Sequence, residues 1–242
     1  MKNLFFLGVF LGLCLALNAQ YIERKNYTYK NVQYDVFVIK VDSFVRNGFT
    51  IASNDLRQGE SSYFDSLAAN GKFFAVTASI VDASCKPLGL YVLDGRQVSP
   101  VNLDTGSGNF FILPNGVLSF DGNTFSLVES SSYSAKNVKY AIQSGPMLVI
   151  SGKISTSLTK GSKNRNLRCG VGIYKSGGND FLVFAKSSTV VNFYDFADFF
   201  LKKFTCNNAL NLESGANCSM HLPRLKNAPR STVVCNYLVI RF

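Results

Sequence analysis

Apolar residues recur at helical spacing in one stretch of the chain. Phe193, Phe196, Ala197, Phe200, Leu201 and Phe204 fall at i, i+3, i+4, i+7, i+8 and i+11. One such stripe predicts an amphipathic helix. Asn192 before it is a good N-cap, because its side-chain oxygen accepts from a first-turn amide. Asp195 and Asp198 lie toward the N-terminal half, Lys202 and Lys203 toward the C-terminal end, the order that the helix macrodipole favours. A shorter helix is expected over residues 61–69, stopped by Asn70-Gly71.

Elsewhere the pattern is alternation and short apolar runs. Residues 33–41, 73–81, 88–93, 109–113, 116–120, 124–128, 147–150, 171–174, 181–186, 208–212 and 231–242 read as strands. Asp94-Gly95, Pro114-Asn115, Asp121-Gly122-Asn123 and Gly177-Gly178 supply turns between them. Residues 156–166, rich in Ser, Lys, Gly and Asn, read as an exposed loop. Many short strands with about two helices imply an α+β fold, a single domain built on a mainly antiparallel twisted sheet.

Composition narrows the class. Apolar residues make up 47% of the chain and charged ones 17%, a balance that argues against disorder. The net charge of +10 is spread thinly, with no dense basic run, so diffuse attraction to anionic glycans or phosphates is expected and a nucleic-acid partner is not. Lys2, the apolar run 4–17 and Ala19 read as a secretory leader over residues 1–19, too short to span a membrane comfortably. Residues 20–242 then form the exported domain, secreted or periplasmic. Five cysteines remain after Cys14 leaves, so at least one thiol is unpaired within the chain; Cys206 or Cys218 with Cys235 is the expected pairing. His221 is the only histidine and sits beside Met220 and Leu222, which reads as a packed residue. No metal and no cofactor is expected, since the chain lacks the ligands for zinc.

Three segments put polar or backbone-exposing residues into apolar surroundings: Gln143-Ser144-Gly145-Pro146, Arg168-Cys169-Gly170-Val171-Gly172 and Glu213-Ser214-Gly215. A guanidinium fork suits a phosphate, and a carboxylate at a strand end suits acid, base or nucleophile work at an anomeric carbon. Taken singly, Arg168 reads as a surface charge, and Glu213 equally as a surface turn residue or as a site carboxylate. Ser151-Gly152-Lys153 is not a phosphate-binding loop, because Met147 stands where that motif needs glycine.

Read in order, the segments say more. Pro87-Leu88-Gly89-Leu90-Tyr91, Gly108-Asn109-Phe110-Phe111, Pro114-Asn115-Gly116-Val117, Gln143 to Val149, Arg168 to Gly172, Val191-Asn192-Phe193 and Cys206-Asn207-Asn208-Ala209-Leu210 succeed one another. This series resembles the phosphodiester glycosidase family, in its shorter bacterial branch, over roughly residues 73–223. The resemblance implies an α+β domain with a surface cavity that hydrolyses a sugar from a sugar-1-phosphodiester. It implies Glu213 as the catalytic carboxylate, and Arg168, Gln143, Ser144, Gly145, Thr77 and Asn115 as contacts to the phosphate-linked sugar or glycan. Thr77, Glu213 and Ser214 depart from the branch's Asn, Asp and Gly. Weakened hydrolysis follows from those departures, or a degenerate domain that binds sugar phosphates without turnover.

Overall fold

The computed structural model describes residues 22–54, 59–134, 136–222 and 234–242. The proposed leader, residues 1–19, lies outside them, as do residues 231–233 of the last expected strand. The chain opens with β1 (Ile22–Tyr29), β2 (Val32–Lys40), α1 (Ser43–Gly48), β3 (Phe49–Ser53), α2 (Glu60–Ala68) and β4 (Phe73–Thr77). Next come β5 (Tyr91–Leu93), β6 (Arg96–Ser99), β7 (Gly116–Phe120), β8 (Phe125–Glu129) and β9 (Tyr140–Ser144). The rest comprises β10 (Met147–Ile150), β11 (Lys153–Ile154), β12 (Arg168–Ser176), β13 (Asn179–Ser187), α3 (Phe193–Phe204), β14 (Asn208–Ser214), β15 (Met220–His221) and β16 (Asn236–Arg241).

The strands form three sheets, ordered β1-β2-β13-β12-β14-β10-β11, β15-β4-β16-β3 and β6-β5-β9-β7-β8. Every strand pair is antiparallel, as the alternation predicts, so the domain is α+β. Period two decides which core each side chain joins. Along β2, Phe37 and Ile39 enter a core shared by all three sheets, whereas Tyr34, Val36 and Val38 face α3. Along β4, Phe74 and Val76 join the shared core, and Phe73 and Ala75 pack under α2.

The Phe stripe builds α3 as expected. Asn192 caps it by accepting from Asp195 N at 2.8 Å, and Thr205 ends it in the left-handed region at φ 50°. Phe196, Phe199 and Phe200 are fully buried against the long sheet, with Tyr34 stacked on Phe199 at a centroid distance of 3.9 Å. Burying one such ring contributes about 2 kcal/mol, so this packing fixes the helix and with it the position of its first turn.

Some expectations are corrected. Residues 109–113 are not a strand: Asn109–Phe111 is a 3-10 turn, in which Phe110 anchors the loop by burial. Among the described residues the six-residue α1 joins the two expected helices, and it is too short to show a period. The disulfides are Cys85–Cys235 and Cys169–Cys218, and Cys206 is a buried free thiol. Cys206 lies under Gly172, where its sulfur fills a gap in the core that faces α3.

Candidate functional site

Arg168 opens β12 opposite Ser214, the last residue of β14, and Gly170 lies opposite Asn211. Two steps along β12 therefore match three along β14. The extra residue makes a bulge, a device that re-aims side chains at strand ends. It turns Ser214 Oγ toward Asn211 Oδ1, to which it donates at 3.1 Å, and toward Arg168 Nη1, which donates to it at 3.4 Å.

Arg168 is 0% exposed, which overturns its reading as a surface charge. Its guanidinium carbon lies 3.6 Å from the ring centroid of Phe193, the first residue of α3. Nε donates to Val191 O at 3.3 Å, and Nη2 to Asn164 O at 3.4 Å and Asn164 Oδ1 at 3.3 Å. All of these are longer than the usual 2.9–3.0 Å. Among the described residues no carboxylate lies within 4.0 Å of it. Burial lowers its pKa to about 10, so it stays charged at neutral pH. A buried cation with stretched neutral partners and no counter-ion is costly by itself.

Glu213 is half-buried one residue before Ser214, and its Oε1 accepts from Ser214 N at 2.9 Å. Burial pushes its carboxyl above the ordinary range, and the amide bond opposes this only in part. The Cys169–Cys218 disulfide ties the residue after Arg168 to the segment after Glu213, across the 3-10 turn Gly215–Asn217. Thr77 holds the same segment from β4: its Oγ1 donates to Asn217 O at 2.7 Å and accepts from Ser219 N at 3.0 Å.

A polar band runs on from Ser214. Asn211, 0% exposed, donates through Nδ2 to Gly145 O at 2.9 Å and to Leu212 O at 2.6 Å. Gly145 has no room for a side chain, since a Cβ there would meet Asn115 Oδ1 at 2.5 Å. Both polar atoms of the buried Asn115 amide, and Ser144 Oγ, find no hydrogen-bond partner among the described residues. Arg168, Glu213, Gly145, Asn115 and Ser144 are thus joined through Asn211 and Ser214. Gln143 is committed to the fold on every side. Its Oε1 accepts from Leu90 N (3.0 Å) and Asn102 N (2.9 Å), its Nε2 donates to Asn102 O (2.5 Å), and a Cβ on Gly89 would collide with it.

The sequence reading missed Asn211, Asn164 and Phe193 as parts of this site. The signal for Asn211 was present as the one amide inside the apolar run Ala209 to Leu212. His221 is packed as expected, stacked on Phe64 and Phe73. A cavity of about 340 Å³ lies elsewhere, beside Cys85–Cys235 and Tyr91. No group of three or more His, Cys, Asp or Glu among the described residues is placed to hold a metal.

An antiparallel three-sheet domain with a buried arginine and a carboxylate at adjoining strand ends defines a scaffold that comparison then identifies. The family model described as phosphodiester glycosidase matches residues 65–241, and the chain belongs to that family. It is 38% identical over 140 residues to YigE of Escherichia coli K12, an uncharacterised protein; the match covers 57% of this chain and 54% of YigE, about half the length of that relative. The fold is similar to the catalytic domain of zebrafish N-acetylglucosamine-1-phosphodiester alpha-N-acetylglucosaminidase, solved auto-inhibited by its pro-peptide. That match has a TM-score of 0.59, with 14% identity over 91% of this chain and 82% of that one. A hypothetical protein from Synechocystis matches with a TM-score of 0.55 and 13% identity, over 91% of this chain and 62% of its own.

Proposed function

We propose that the protein hydrolyses a sugar from a sugar-1-phosphodiester. The observation that carries this reading is the buried guanidinium of Arg168, without a carboxylate partner among the described residues, one bulge away from a half-buried carboxylate whose proton affinity is raised. When the bond between the anomeric carbon and the phosphate oxygen breaks, a singly charged diester becomes a doubly charged monoester. A fixed cation at that oxygen stabilises the developing charge, worth a factor of roughly 10² or more for a single well-placed donor. Water attacks the anomeric carbon and Glu213 takes its proton, a task for which a raised pKa suits it. Asn115 and Ser144, with polar atoms unspent, serve sugar hydroxyls. Gln143 and Thr77 hold the loops that frame the site, and the cramped Gly145 keeps its backbone close to the ligand.

Slow turnover is expected, because Ser214 Oγ already occupies one Arg168 donor and Glu213 spends one oxygen on its neighbour's amide. Those two contacts also favour a second reading, a domain that binds sugar phosphates without cleaving them. Export rests on the leader reading of residues 1–19 together with two disulfides, which persist in oxidising compartments.

Release of free sugar from a synthetic sugar-1-phosphodiester tests the proposal. The wild type should release it, with Glu213→Gln and Arg168→Met each at least about 100-fold slower. Binding of the diester with no sugar released by the wild type selects the second reading. Neither binding nor release removes both.

A further inference from the structure

The net charge of +10 forms no dense run, yet it is not spread evenly along the sequence. Residues 130–179 contain eight Lys and Arg and no Asp or Glu, whereas the other 192 residues hold 17 basic and 15 acidic side chains. Almost all of the excess therefore sits in one stretch that surrounds Arg168. Within it the loop 156–166 carries Lys160, Lys163 and Arg165, all exposed.

The fold sets this loop against the buried arginine. Asn164, between Lys163 and Arg165, accepts from Arg168 Nη2 through both its backbone and its side-chain oxygen. Buried Leu158 pins the other arm of the loop into the core under α3. Arg165 and Arg168 donate to consecutive carbonyls, Arg165 Nη2 to Val190 O at 3.0 Å and Arg168 Nε to Val191 O at 3.3 Å. None of Lys160, Lys163, Arg165 and Arg168 has a carboxylate within 4.0 Å among the described residues. Asp195, in the first turn of α3 whose Phe193 packs on Arg168, is already engaged by Asn192 Nδ2 at 2.8 Å and Lys30 at 3.5 Å.

One guanidinium balances one phosphodiester. Three further cations on the loop that contacts Arg168 through Asn164 exceed what a single diester needs. We propose that Lys160, Lys163 and Arg165 form an outer rim to the Arg168 site that binds the next phosphate of a glycan strand carrying phosphates at intervals. The inference rests on Arg168 holding the first phosphate, and it narrows the substrate to a polyanionic glycan. The loop contains no aromatic residue, so it offers no platform on which bases of a single strand stack. This sets a phosphate-bearing glycan ahead of a nucleic acid.

The test compares two probes on the purified protein: a methyl diester of a hexose-1-phosphate, and a trimer of the same hexose joined through 1-phosphodiesters. In the triple variant Lys160→Gln, Lys163→Gln, Arg165→Gln, affinity for the trimer should fall about tenfold and the monomer by about twofold. The variant's dependence on salt for the trimer should also flatten. Equal losses on both probes, or none, overturn the rim. Oligothymidylate of equal charge, bound as tightly as the trimer by the wild type, also overturns it, in favour of a nucleic acid. Monomer binding that survives Arg168→Met strikes the reading of Arg168 itself, and that result is independent of how the triple variant behaves.

Discussion

Helix α3 carries charge on two flanks, and the protein treats them oppositely. On the flank that meets the β1–β2 turn, Asp198 is bonded by Tyr29 Oη at 2.7 Å and Lys30 Nζ at 2.6 Å, and Asp195 lies 3.5 Å from Lys30. Lys30, Asp195 and Asp198 each have an opposite charge there. At the first turn Arg168 stacks on Phe193 in full burial, with no carboxylate within 4.0 Å among the described residues. The paired cluster is half exposed and fastens the N-terminal hairpin to the helix. The unpaired cation ties Val191, Asn164 and Ser214 together only through contacts of 3.3–3.4 Å. A fold tolerates such a charge when its partner comes from outside.

The sharpest way to break this comparison is to remove each charge. Arg168→Met should cut sugar release at least about 100-fold and leave the melting temperature equal to or above that of the wild type, because a desolvated charge goes. Asp198→Asn should do the reverse, costing about 1 kcal/mol with unchanged turnover. Asp198's pKa is lowered although burial alone would raise it, because Lys30 and Tyr29 bond the charged form. Its stabilisation is therefore present above the ordinary carboxylate range and lost as pH falls through the lower folded value. The stability gap between wild type and Asp198→Asn should close in acid.

The two disulfides extend the contrast. Replacing Cys169 and Cys218 by Ser should cost about 3 kcal/mol and also lower turnover, since that bridge joins the strand of Arg168 to the turn after Glu213. Replacing Cys85 and Cys235 should cost comparable stability and spare turnover measured below the melting range. Thr77→Val should lose about 2 kcal/mol, because it strips a buried hydroxyl from Asn217 O and Ser219 N. Its KM should hold; a raised KM would return Thr77 to the sugar.

The smallest effect concerns Glu213. Its folded pKa is raised by burial, so its contribution to stability is present below the ordinary carboxylate range and lost as pH rises through the folded value. Glu213→Gln should therefore melt above the wild type at about pH 8, with the gap closing toward about pH 4. A gap that instead widens in acid would show that a cation near Glu213 holds it ionised.

What was legible in the sequence follows period. The Phe stripe of α3, its Asn192 cap, the hairpin at Gly177-Gly178 and the strand leading to Glu213 depend on local chemistry, and they formed as expected. Arg168's burial was not legible, because it depends on Phe193 and Asn164 arriving from other elements. Residues 109–113 looked like a strand because Phe110 and Phe111 are β-prone, yet burying Phe110 needs only one turn of chain. The cysteine partners and the hydrogen bonds of Thr77 and Gln143 lay in register and loop approach, which spacing alone does not encode.

The central claim is that Arg168 is held unpaired for an external anion. Isothermal titration of a hexose-1-phosphate into wild type, Arg168→Met and Asp198→Asn tests it most directly. Binding should vanish in Arg168→Met, with its melting temperature intact, and persist in Asp198→Asn. Undiminished affinity in a folded Arg168→Met protein would contradict the claim and leave the buried guanidinium a structural residue.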